Sequence, residues 1–428
     1  MDSIFAQATA TGRAGVSVIR LSGFQAFDIA RIFCKLPEVG RTGLRAVRGR
    51  DGALIDQALV LCFEQGASFT GERVVEFQVH GGLATVAKLL SELSAQEGCR
   101  LAEPGEFTRR ALENGQLDLN QVEALSDLID AETESQRQQA IRVLDGRFGD
   151  AGEMWRGKLL RAAALLEASI DFSDEEIPDD LSVEVISLVE ETRASIAAIL
   201  ERSMMASKIR IGFTVAIIGA PNVGKSTLLN AIVGRQAAIT SDVAGTTRDV
   251  IECRVDLQGL AVSFLDTAGL RESEDEIENL GISKAYEMAA AADVRVFLVE
   301  EVGEPLPIAL RDGDIVRLNK GDERSSEVGT VSGKTGEGVS ELLSLIAKRL
   351  MVKTPQDVVA IRERQITGLR AAESFLGRVL ELTQADPLPF ELASQELYFA
   401  LSELDFVFGR IDIESVLDEI FSSFCLGK

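Results

Sequence analysis

The sequence predicts a multidomain protein that combines the α+β and α/β classes. Three observations lead to this expectation. At 428 residues the chain is longer than one hydrophobic core usually organises. Its first quarter mixes strand and helix patterns, whereas residues 211–350 alternate short apolar strands with helices, as a mainly parallel sheet requires. Helical periodicity flanks the α/β segment on both sides, so we expect that segment to be inserted into a helical domain.

The amino-terminal domain is predicted over residues 1–117. The stretches GVSVIRL, ALVLCF and RVVEFQVH are rich in β-branched and apolar residues and are interpreted as strands. LATVAKLLSELSAQ has apolar residues at spacings of three and four, as a helix with one buried face does. Together they predict a small α+β domain.

The helical domain is predicted in two parts, residues 118–210 and 351–428. NQVEALSDLIDAETESQRQQAIRVL and MWRGKLLRAAALLEASI are interpreted as helical, and the acidic, proline-containing SDEEIPDD interrupts the pattern. IRERQITGLRAAESFLGRVLELT and ELASQELYFALSELDFVFG continue it towards the carboxyl end. Between the two parts, FTVAIIG, AVSFLD, VRVFLV, DIVRLN and GTVSG predict the strands of the α/β domain.

Composition excludes several classes of protein and site. Apolar residues make up 46% of the chain, and no apolar run is long enough to cross a bilayer, so we expect no membrane association. The stretch MDSIFAQATATGRAGVSVIRLSG lacks the basic, apolar and small-residue order of a signal peptide, so we expect a cytoplasmic protein. Five scattered cysteines without CxxC spacing argue against a disulfide framework or a zinc site. The formal charge of −24 repels polyanions, so any contact with nucleic acid needs a local basic patch or a partner's surface. The only histidine, His80, is interpreted as a packed residue beside a turn, without a catalytic role.

One glycine-rich segment carries a nucleotide-binding pattern. GAPNVGKST, residues 219–227, follows the strand FTVAIIG and precedes the helical run LLNAIVG, which is the context that GxxxxGK[ST] requires. Glycines let backbone amides wrap a phosphate, and the helix amino terminus adds a favourable dipole. Lys225 is expected to reach the outer phosphates and the Ser226 hydroxyl to bind Mg²⁺. The segment predicts a P-loop.

Further motifs, in chain order, identify the nucleotide as GTP. Thr246 and Thr247 offer hydroxyls to Mg²⁺ once a terminal phosphate is present, and Asp266 begins DTAG at the end of a strand. Asp322 of NKGD can accept both the ring N–H and the exocyclic amine of guanine, which adenine does not offer, and SGK fits the last loop that contacts the base. The predicted GTP-binding residues are Asn222, Val223, Gly224, Lys225, Ser226, Thr227, Ser241, Asp242, Val243, Ala244, Gly245, Thr246, Thr247, Asp266, Thr267, Ala268, Gly269, Asn319, Lys320, Asp322, Ser332, Gly333 and Lys334.

Several longer segments resemble one family over essentially the whole chain. They are AQATATGRAGVSVIRLSG, SFTGERVVEFQVHGG, EPGEFTRRALENGQLDLNQVEALSDLIDA, the GTPase motifs with DTAGLRE, and the terminal FSSFCLGK. This chain resembles the bacterial tRNA modification GTPases of the MnmE (TrmE) family. The resemblance implies an amino-terminal domain that binds 5-formyl- or 5,10-methylene-tetrahydrofolate and dimerises, a helical domain, and an inserted P-loop GTPase domain.

The resemblance also implies a reaction and partners. A homodimer would work with an FAD-dependent, MnmG-type protein, as a heterotetramer, to install an aminomethyl or carboxymethylaminomethyl group at C5 of the wobble uridine (U34) of certain tRNAs. The alternative is a ribosome-assembly or regulatory GTPase switch without modification activity. The charge of −24 and the lack of a basic appendage favour the modification enzyme.

The catalytic residues follow from the same resemblance. Leu270 follows DTAG where many GTPases carry a water-orienting glutamine. The family implies that K⁺ beside the phosphates stimulates hydrolysis in place of an arginine finger, and that Glu278 helps to order the attacking water. The alternatives are that Glu278 is a solvated charge in an acidic loop and that Asn222 only supports the phosphate loop. The implied K⁺ ligands are Asn222, Ser241, Val243 and Thr246, the Mg²⁺ ligands Ser226 and Thr247, and the catalytic residues Glu278, Asn222, Lys225 and Cys425.

Four positions match the folate site of the family. Arg20, Glu76 and Lys428 fit, since a carboxylate can pair with the amino-pyrimidine edge of a pterin and cations can hold the glutamate tail. At the fourth position the family often has lysine and this chain has Gln116, which removes one positive charge. The alternative for Arg20 and Glu76 is an edge-strand salt bridge. Cys425 in CLGK is implied in tRNA modification but not in GTP hydrolysis, and the alternative is a flexible thiol without a chemical duty.

Overall fold

The computed structural model describes residues 2–171, 180–236, 251–266, 287–319, 329–351, 362–385 and 388–411, together with residues 417, 420, 421, 424 and 427. The described strands are β1 (Ser3–Gln7), β2 (Ala14–Ser22), β3 (Thr42–Arg48), β4 (Leu54–Phe63), β5 (Val74–Gly81), β6 (Cys99–Leu101), β7 (Phe213–Gly219), β8 (Ile251–Leu257), β9 (Leu260–Asp266), β10 (Val294–Val299), β11 (Ile315–Asn319) and β12 (Thr330–Val331). The helices are α1 (Ala26–Phe33), α2 (Leu83–Ser94), α3 (Glu106–Glu113), α4 (Leu119–Ile129), α5 (Glu134–Leu144), α6 (Arg147–Asp171), α7 (Asp180–Ile211), α8 (Lys225–Val233), α9 (Val339–Met351), α10 (Glu363–Leu382) and α11 (Phe390–Val407).

The chain divides into two compact units, residues 1–126 with 404–428 and residues 127–403. The mixture of α+β, helical and α/β parts confirms the predicted fold class. The predicted domain boundaries after residues 117, 210 and 350 stay predictions. None of the helices in the described part of the chain combines the length and apolar character that crossing a bilayer requires.

The first unit is built on a six-stranded sheet of order β3-β4-β5-β2-β1-β6. Its neighbours are antiparallel except for β1 and β6, which are parallel. Helices α1 and α2 cover one face, where Phe27 and Leu89 pack with Phe5 and Phe77 of the sheet. Sequence patterns identified the three strands β2, β4 and β5 and missed β1, β3 and β6, of which β3 and β6 form the edges.

Strand alternation sends every second residue of β2 and β5 to the opposite face. Ile19, Leu21 and Phe77 belong to the core under α1 and α2, so Arg20 and Glu76 point away from it. On that other face a smaller apolar cluster includes Phe107 of α3, with Phe69 packed against it. The two predicted folate residues therefore share one face with α3.

The second unit contains the α/β sheet, of order β12-β11-β10-β7-β9-β8. All neighbours are parallel except the edge strand β8, which runs antiparallel to β9. Both faces of β7 are buried: Val215 and Ile217 pack in a core with Leu228 of α8, and Ile218 packs with Phe297 on the other side. The mainly parallel sheet was predicted, and β8 was not.

One helical stretch differs from the predicted pattern. The run 120–144, interpreted as one helical stretch, forms two helices, because Thr133 begins α5 as its N-cap in a capping box with Gln136. In α6, Trp155 is fully buried and donates from Nε1 to the Ser195 hydroxyl of α7 at 3.0 Å. SDEEIPDD lies outside the described residues except for Asp180, the first residue of α7.

The α/β domain is attached to these helices through its β8–β9 turn. The Ser135 N–H, in the first turn of α5, donates to the Gly259 carbonyl at 3.1 Å, so the turn satisfies a donor that helix ends otherwise leave open. The Arg254 guanidinium of β8 pairs with Glu132 at 3.0 Å and donates to the Ile211 carbonyl at 3.1 Å. These contacts hold the edge strand β8 and its turn against α5 and the end of α7, the helix that leads into β7.

Candidate functional site

The phosphate-binding turn lies between β7 and α8, at the carboxyl edge of the α/β sheet. Asn222 has a φ of 66° and Gly224 a φ of 98°, so the turn uses the left-handed region twice before the helix begins. A Cβ on Gly224 would lie 2.5 Å from the Asn319 Nδ2, and one on Gly219 would lie 2.5 Å from the Leu298 carbonyl oxygen. The glycines of the motif are thus required by φ and by space.

Lys225 places its charge inside this turn. The residue is 4% exposed, and its Nζ donates to the carbonyl oxygens of Gly219 and Ala220, each at 2.8 Å. Ser226 and Thr227, the next two residues of the first helical turn, are exposed. An ammonium group within the turn and hydroxyls on a helix amino terminus form an environment that favours phosphate and a divalent cation.

The predicted base-contacting residues reach the same edge of the sheet. Asn319 ends β11 and donates from Nδ2 to the Val223 carbonyl, which joins the NKGD segment to the phosphate turn. Ser332, 1% exposed, follows β12 and accepts from the Thr335 N–H at 3.2 Å. A Cβ on Gly333 would lie 2.6 Å from the Leu228 nitrogen, so the loop presses against the first turn of α8.

The predicted residues at the carboxyl edge of the sheet also include Asp266. It is the last residue of β9, and its main chain is in register with Ile217 of β7, two residues before the phosphate turn. Lys334 is exposed in the base-contacting loop. The remaining predicted residues lie outside the described residues; they are Ser241, Asp242, Val243, Ala244, Gly245, Thr246, Thr247, Thr267, Ala268, Gly269, Glu278, Lys320, Asp322, Cys425 and Lys428.

Arg20 and Glu76 form a direct pair across β2 and β5. They are opposite each other in the register, and the Arg20 Nε donates to Glu76 Oε1 at 2.9 Å. Both strands are interior, so the pair is not the edge-strand salt bridge of the alternative interpretation. The guanidinium also lies 5.5 Å from the ring centroid of Phe69 and 5.7 Å from that of Phe107. A half-buried cation and carboxylate beside two aromatic rings suit a flat, polar heterocycle.

Phe69 belongs to the loop of residues 64–72, and Gln116 adjoins that loop. A Cβ on Gly71 would lie 3.1 Å from the Gln116 Cγ, and the Asn114 side chain donates to the Thr70 carbonyl at 2.7 Å. Both Arg20 and Gln116 therefore adjoin one loop. Gly427, the residue before Lys428, lies against the main chain of Gln7 and Ala8 at the end of β1.

A buried network, which sequence analysis missed, holds this loop. Arg110 of α3, 5% exposed, donates to both carboxylate oxygens of Glu72 at 3.1 Å and to Glu106 at 3.0 Å. Glu72 in turn accepts from the Ser22 hydroxyl at 2.7 Å. Burial raises the pKa of Glu106, but hydrogen bonds from Arg100, Glu103 N–H and Arg110 outweigh it and leave that pKa below its ordinary value. The segments RLSG and PGEFTRR contain Ser22, Glu106 and Arg110. Their local pattern does not show that these residues meet, because the contact depends on long-range pairing in the fold.

Two family models match nearly the whole chain. A family model described as "MnmE helical domain" matches residues 119–425, and one described as "GTP-binding protein TrmE N-terminus" matches residues 3–116. The chain belongs to the MnmE family. A tRNA modification GTPase MnmE of Roseobacter denitrificans is 52% identical over 429 residues, and one of a Ruegeria species 50% over 430, each covering 100% of both chains.

Solved structures add nothing to the assignment. A variant of Era from Aquifex aeolicus, crystallised with GDP and AlF₄⁻, is 25% identical and covers 38% of this chain and 66% of its own, with a TM-score of 0.26. At that score the likeness supports no argument. The family assignment rests on the two family models and the full-length relatives.

The structure of this MnmE-family protein also shows the surroundings of His80 and of three cysteines. The prediction of a packed His80 was wrong: its side chain is 75% exposed, and Nδ1 lies 2.9 Å from an Asp56 oxygen. The cysteines Cys34, Cys62 and Cys99 are buried and free, and burial raises the pKa of each thiol to about 11. At neutral pH these three thiols are therefore protonated and poorly nucleophilic.

Proposed function

We propose that this protein is a GTP-hydrolysing tRNA modification enzyme. With an FAD-dependent, MnmG-type partner it adds an aminomethyl or carboxymethylaminomethyl group to C5 of the wobble uridine, U34, of certain tRNAs, and a one-carbon tetrahydrofolate supplies the carbon. The observation that supports this most is identity of about 50% over the full length with tRNA modification GTPases named MnmE. A cytoplasmic location agrees with such a substrate.

GTP hydrolysis is assigned to the carboxyl edge of the α/β sheet. The backbone of the phosphate turn and Lys225 would hold the phosphates, and Asn319 keeps the base-contacting segment joined to that turn. Ser226 and Thr247 would hold Mg²⁺, and the exposed position of Ser226 at the start of α8 fits that role. When bound, the cation neutralises charge on the phosphates, while the protein orients them and excludes competing geometries.

Stimulation by K⁺ is assigned to Asn222. This residue occupies the left-handed region, where a glycine would be less strained, and its side chain is exposed beside the phosphate turn. An amide oxygen is a hard ligand of the kind that alkali cations take, and Ser241, Val243 and Thr246 would complete the site. K⁺ would supply positive charge where other GTPases bring an arginine.

The role of K⁺ and of Glu278 can be tested by turnover. In K⁺ buffer we expect GTP hydrolysis at least ten times faster than in Na⁺ buffer of the same ionic strength, and no such difference for Asn222→Ala. Glu278→Ala should bind GTP nearly as the wild type does but turn it over far more slowly, because water would lose its orienting group. Equal rates in the two buffers would remove the cation from the mechanism.

The folate is assigned to the face of the first unit that carries Arg20 and Glu76. Glu76 would accept from the amino-pyrimidine edge, and Arg20, with the terminal Lys428, would attract the glutamate tail. The position of Gly427 against the end of β1 agrees with a terminal lysine near this face. Gln116 would contact the tail through its amide only.

A homodimer is supported by an apolar surface on β3 and β4. Leu44 and Leu59 are directly opposite each other in the register, and they are 61% and 44% exposed. Cross-strand leucines on an edge hairpin favour association because water otherwise covers them. The MnmG-type partner would join this dimer in a heterotetramer, and its own surface would contribute to tRNA binding.

The second candidate function is a regulatory or ribosome-assembly GTPase switch. Nucleoside analysis separates the two. We expect bulk tRNA from cells lacking this protein to lose the C5-substituted wobble uridines, and complementation to restore them. Unchanged nucleosides, together with normal GTPase activity of the purified protein, would favour the switch.

A further inference from the structure

Positive charge is concentrated in one segment of the first unit, although the chain as a whole is acidic. Residues 31–50 contain six basic residues and one acidic residue, whereas the whole chain has a formal charge of −24. Most of this segment is the edge strand β3 and the connection that leads to it from α1. We name these residues the basic strip; they are Arg31, Lys35, Arg41, Arg45, Arg48 and Arg50.

The side chains of the basic strip are accessible. Arg45 is partly exposed and the other five are exposed. Arg45 donates from Nε to the Lys35 carbonyl at 2.7 Å, and Arg48 donates to the Gly52 carbonyl at 3.0 Å. Among the described residues no carboxylate lies within ion-pair distance of Lys35, Arg45 or Arg48. The two guanidinium groups, of Arg45 and Arg48, are therefore bonded to neutral carbonyls and keep their full charge.

The other three members have carboxylate neighbours that bind weakly. Arg31 pairs with Asp28 at 2.5 Å, and both side chains are more than half exposed. Arg41 approaches Glu38 at 3.4 Å and Arg50 approaches Glu92 at 3.6 Å. The pairs of Arg31 and Arg41 are exposed on both sides and contribute about 0–1 kcal/mol, so a phosphate can displace them. Glu92 is only 10% exposed and already pairs with Lys88 at 2.7 Å, so it offsets little of the Arg50 charge.

The dimensions of the strip suit a nucleic-acid backbone. Strand β3 runs from Thr42 to Arg48 and at ~3.4 Å per residue covers about 20 Å, with Arg45 and Arg48 on opposite faces of the sheet along this edge. That length of duplex axis carries on the order of ten phosphates. Five of the six residues are arginine, whose planar guanidinium can donate two parallel hydrogen bonds to one phosphate.

A simpler explanation is that charges on an edge strand prevent two sheets from pairing. Either sign of charge would do this, and lysine is the usual residue. A basic edge alone therefore fits this explanation as well. What it does not account for is that five of the six residues are arginine, and this arginine content points to an anionic partner.

We propose that the basic strip binds the phosphate backbone of tRNA. This inference rests on the proposed function, which makes tRNA the substrate. The strip gives an acidic protein the local basic patch that contact with a polyanion needs. The contact carries no sequence information itself, so it orients the RNA and leaves selection of the modified base to other groups.

The test measures affinity of the full-length protein for an unmodified tRNA transcript with uridine at the wobble position. In Arg45→Gln/Arg48→Gln two phosphate contacts are removed, so we expect the slope of log K against log salt to become shallower by about 1.5. If the curves converge near 1 M salt, the dissociation constant at ~0.1 M salt rises about 30-fold. GTP turnover should be unchanged, since both residues belong to the first unit and the phosphate turn belongs to the second.

Lys158→Gln/Arg161→Gln on α6 is the matched control. It removes the same charge from a surface in the other unit, and we expect less than a twofold change in tRNA affinity. An unchanged slope for the β3 variant, or an equal loss in both variants, would overturn the proposal. So would a monomeric β3 variant in light scattering: Arg48 is on the same strand as Leu44 of the proposed dimer surface, and the substitutions would then act through the dimer.

The outcome is separable from that of the proposed function. If the wild type binds the transcript through the strip but cells lacking the protein keep their wobble modifications, the surface stands and the modification role fails. If modification is lost in those cells and the strip variant restores it with unchanged tRNA affinity, the function stands and the strip fails.

Discussion

The two candidate sites of this protein are built in different ways on two kinds of sheet. In the α/β domain the site is formed by loops at one edge, where parallel strands end and glycines let the loops approach α8. In the amino-terminal domain, Arg20 and Glu76 stand inside adjacent strands, 56 residues apart in sequence, and meet only through the register. The first site is encoded by contiguous motifs and the second by long-range pairing. Substitutions should therefore act locally in one and through the sheet in the other.

The largest expected effect is that of Lys225→Ala in the loop-built site. The ammonium group is held inside the phosphate turn by the carbonyls of Gly219 and Ala220, so its loss removes two hydrogen bonds of the turn and the charge that offsets the phosphates. We expect kcat/KM for GTP to fall by about 10²-fold or more, in line with other charge-stabilising groups. GTP titration and turnover measure it, and Lys348→Ala, an exposed lysine of α9, should behave as wild type.

The next effect probes the register-built site by exchanging its charges. In Arg20→Glu/Glu76→Arg the cross-strand pair can still form, but the guanidinium leaves the rings of Phe69 and Phe107, so the free energy of unfolding should fall by about 1–2 kcal/mol. Affinity for 5-formyl-tetrahydrofolate should fall about 10- to 100-fold, because each ligand edge would face the wrong charge. Retained folate affinity in a stable swapped protein would show that the pair serves only the sheet. Arg73→Gln, in the more exposed pair with Glu64, is the control.

This difference also explains what could be predicted from the sequence. The P-loop, NKGD and SGK are recognisable because phosphates and guanine need particular residues at fixed spacing on loops, and the described members do lie at one edge. Edge strands β3 and β6 were missed because exposed edges lose the apolar alternation that marks a strand. The pair of Arg110 and Glu72 was missed because the two residues are 38 positions apart in the sequence and no local pattern connects them.

Gly333→Ala tests how tightly the loop-built site is packed. A methyl group there would lie 2.6 Å from main-chain atoms of α8, and backbone cannot move aside as a side chain can. Displacing the loop costs about 1–3 kcal/mol, so we expect GTP affinity to fall roughly tenfold. Gly157→Ala on α6, where the added carbon meets nothing within 4 Å, should leave GTP binding intact. Equal affinities for the two variants would mean that the loop adapts freely.

Acid should weaken the amino-terminal unit through Glu106. Its pKa is lowered overall in the folded protein, so the carboxylate stabilises the fold fully above the ordinary value of 4.5 and progressively less as the pH falls through the folded value. In Glu106→Gln the unfolding free energy should vary less steeply below that pH, by up to about 1.4 kcal/mol per pH unit. Denaturant unfolding at several pH values, followed in the isosteric variant and the wild type, measures it. Parallel curves would assign acid sensitivity to other carboxylates.

The smallest effect is expected from Gln116→Lys, which restores the charge that the family often has. Gln116 is exposed and its amide only approaches the Asn114 carbonyl, at 3.5 Å, so a lysine has room to reach outward without breaking a network. An exposed cation contributes about 1 kcal/mol at most, so folate affinity should rise two- to fivefold. The gain should grow with the number of glutamates in the tail and shrink with added salt, because only the tail carries the opposing charge. Gln138→Lys on α5 adds the same charge elsewhere; if it raises folate affinity equally, the gain reflects net charge and the missing lysine has no local role.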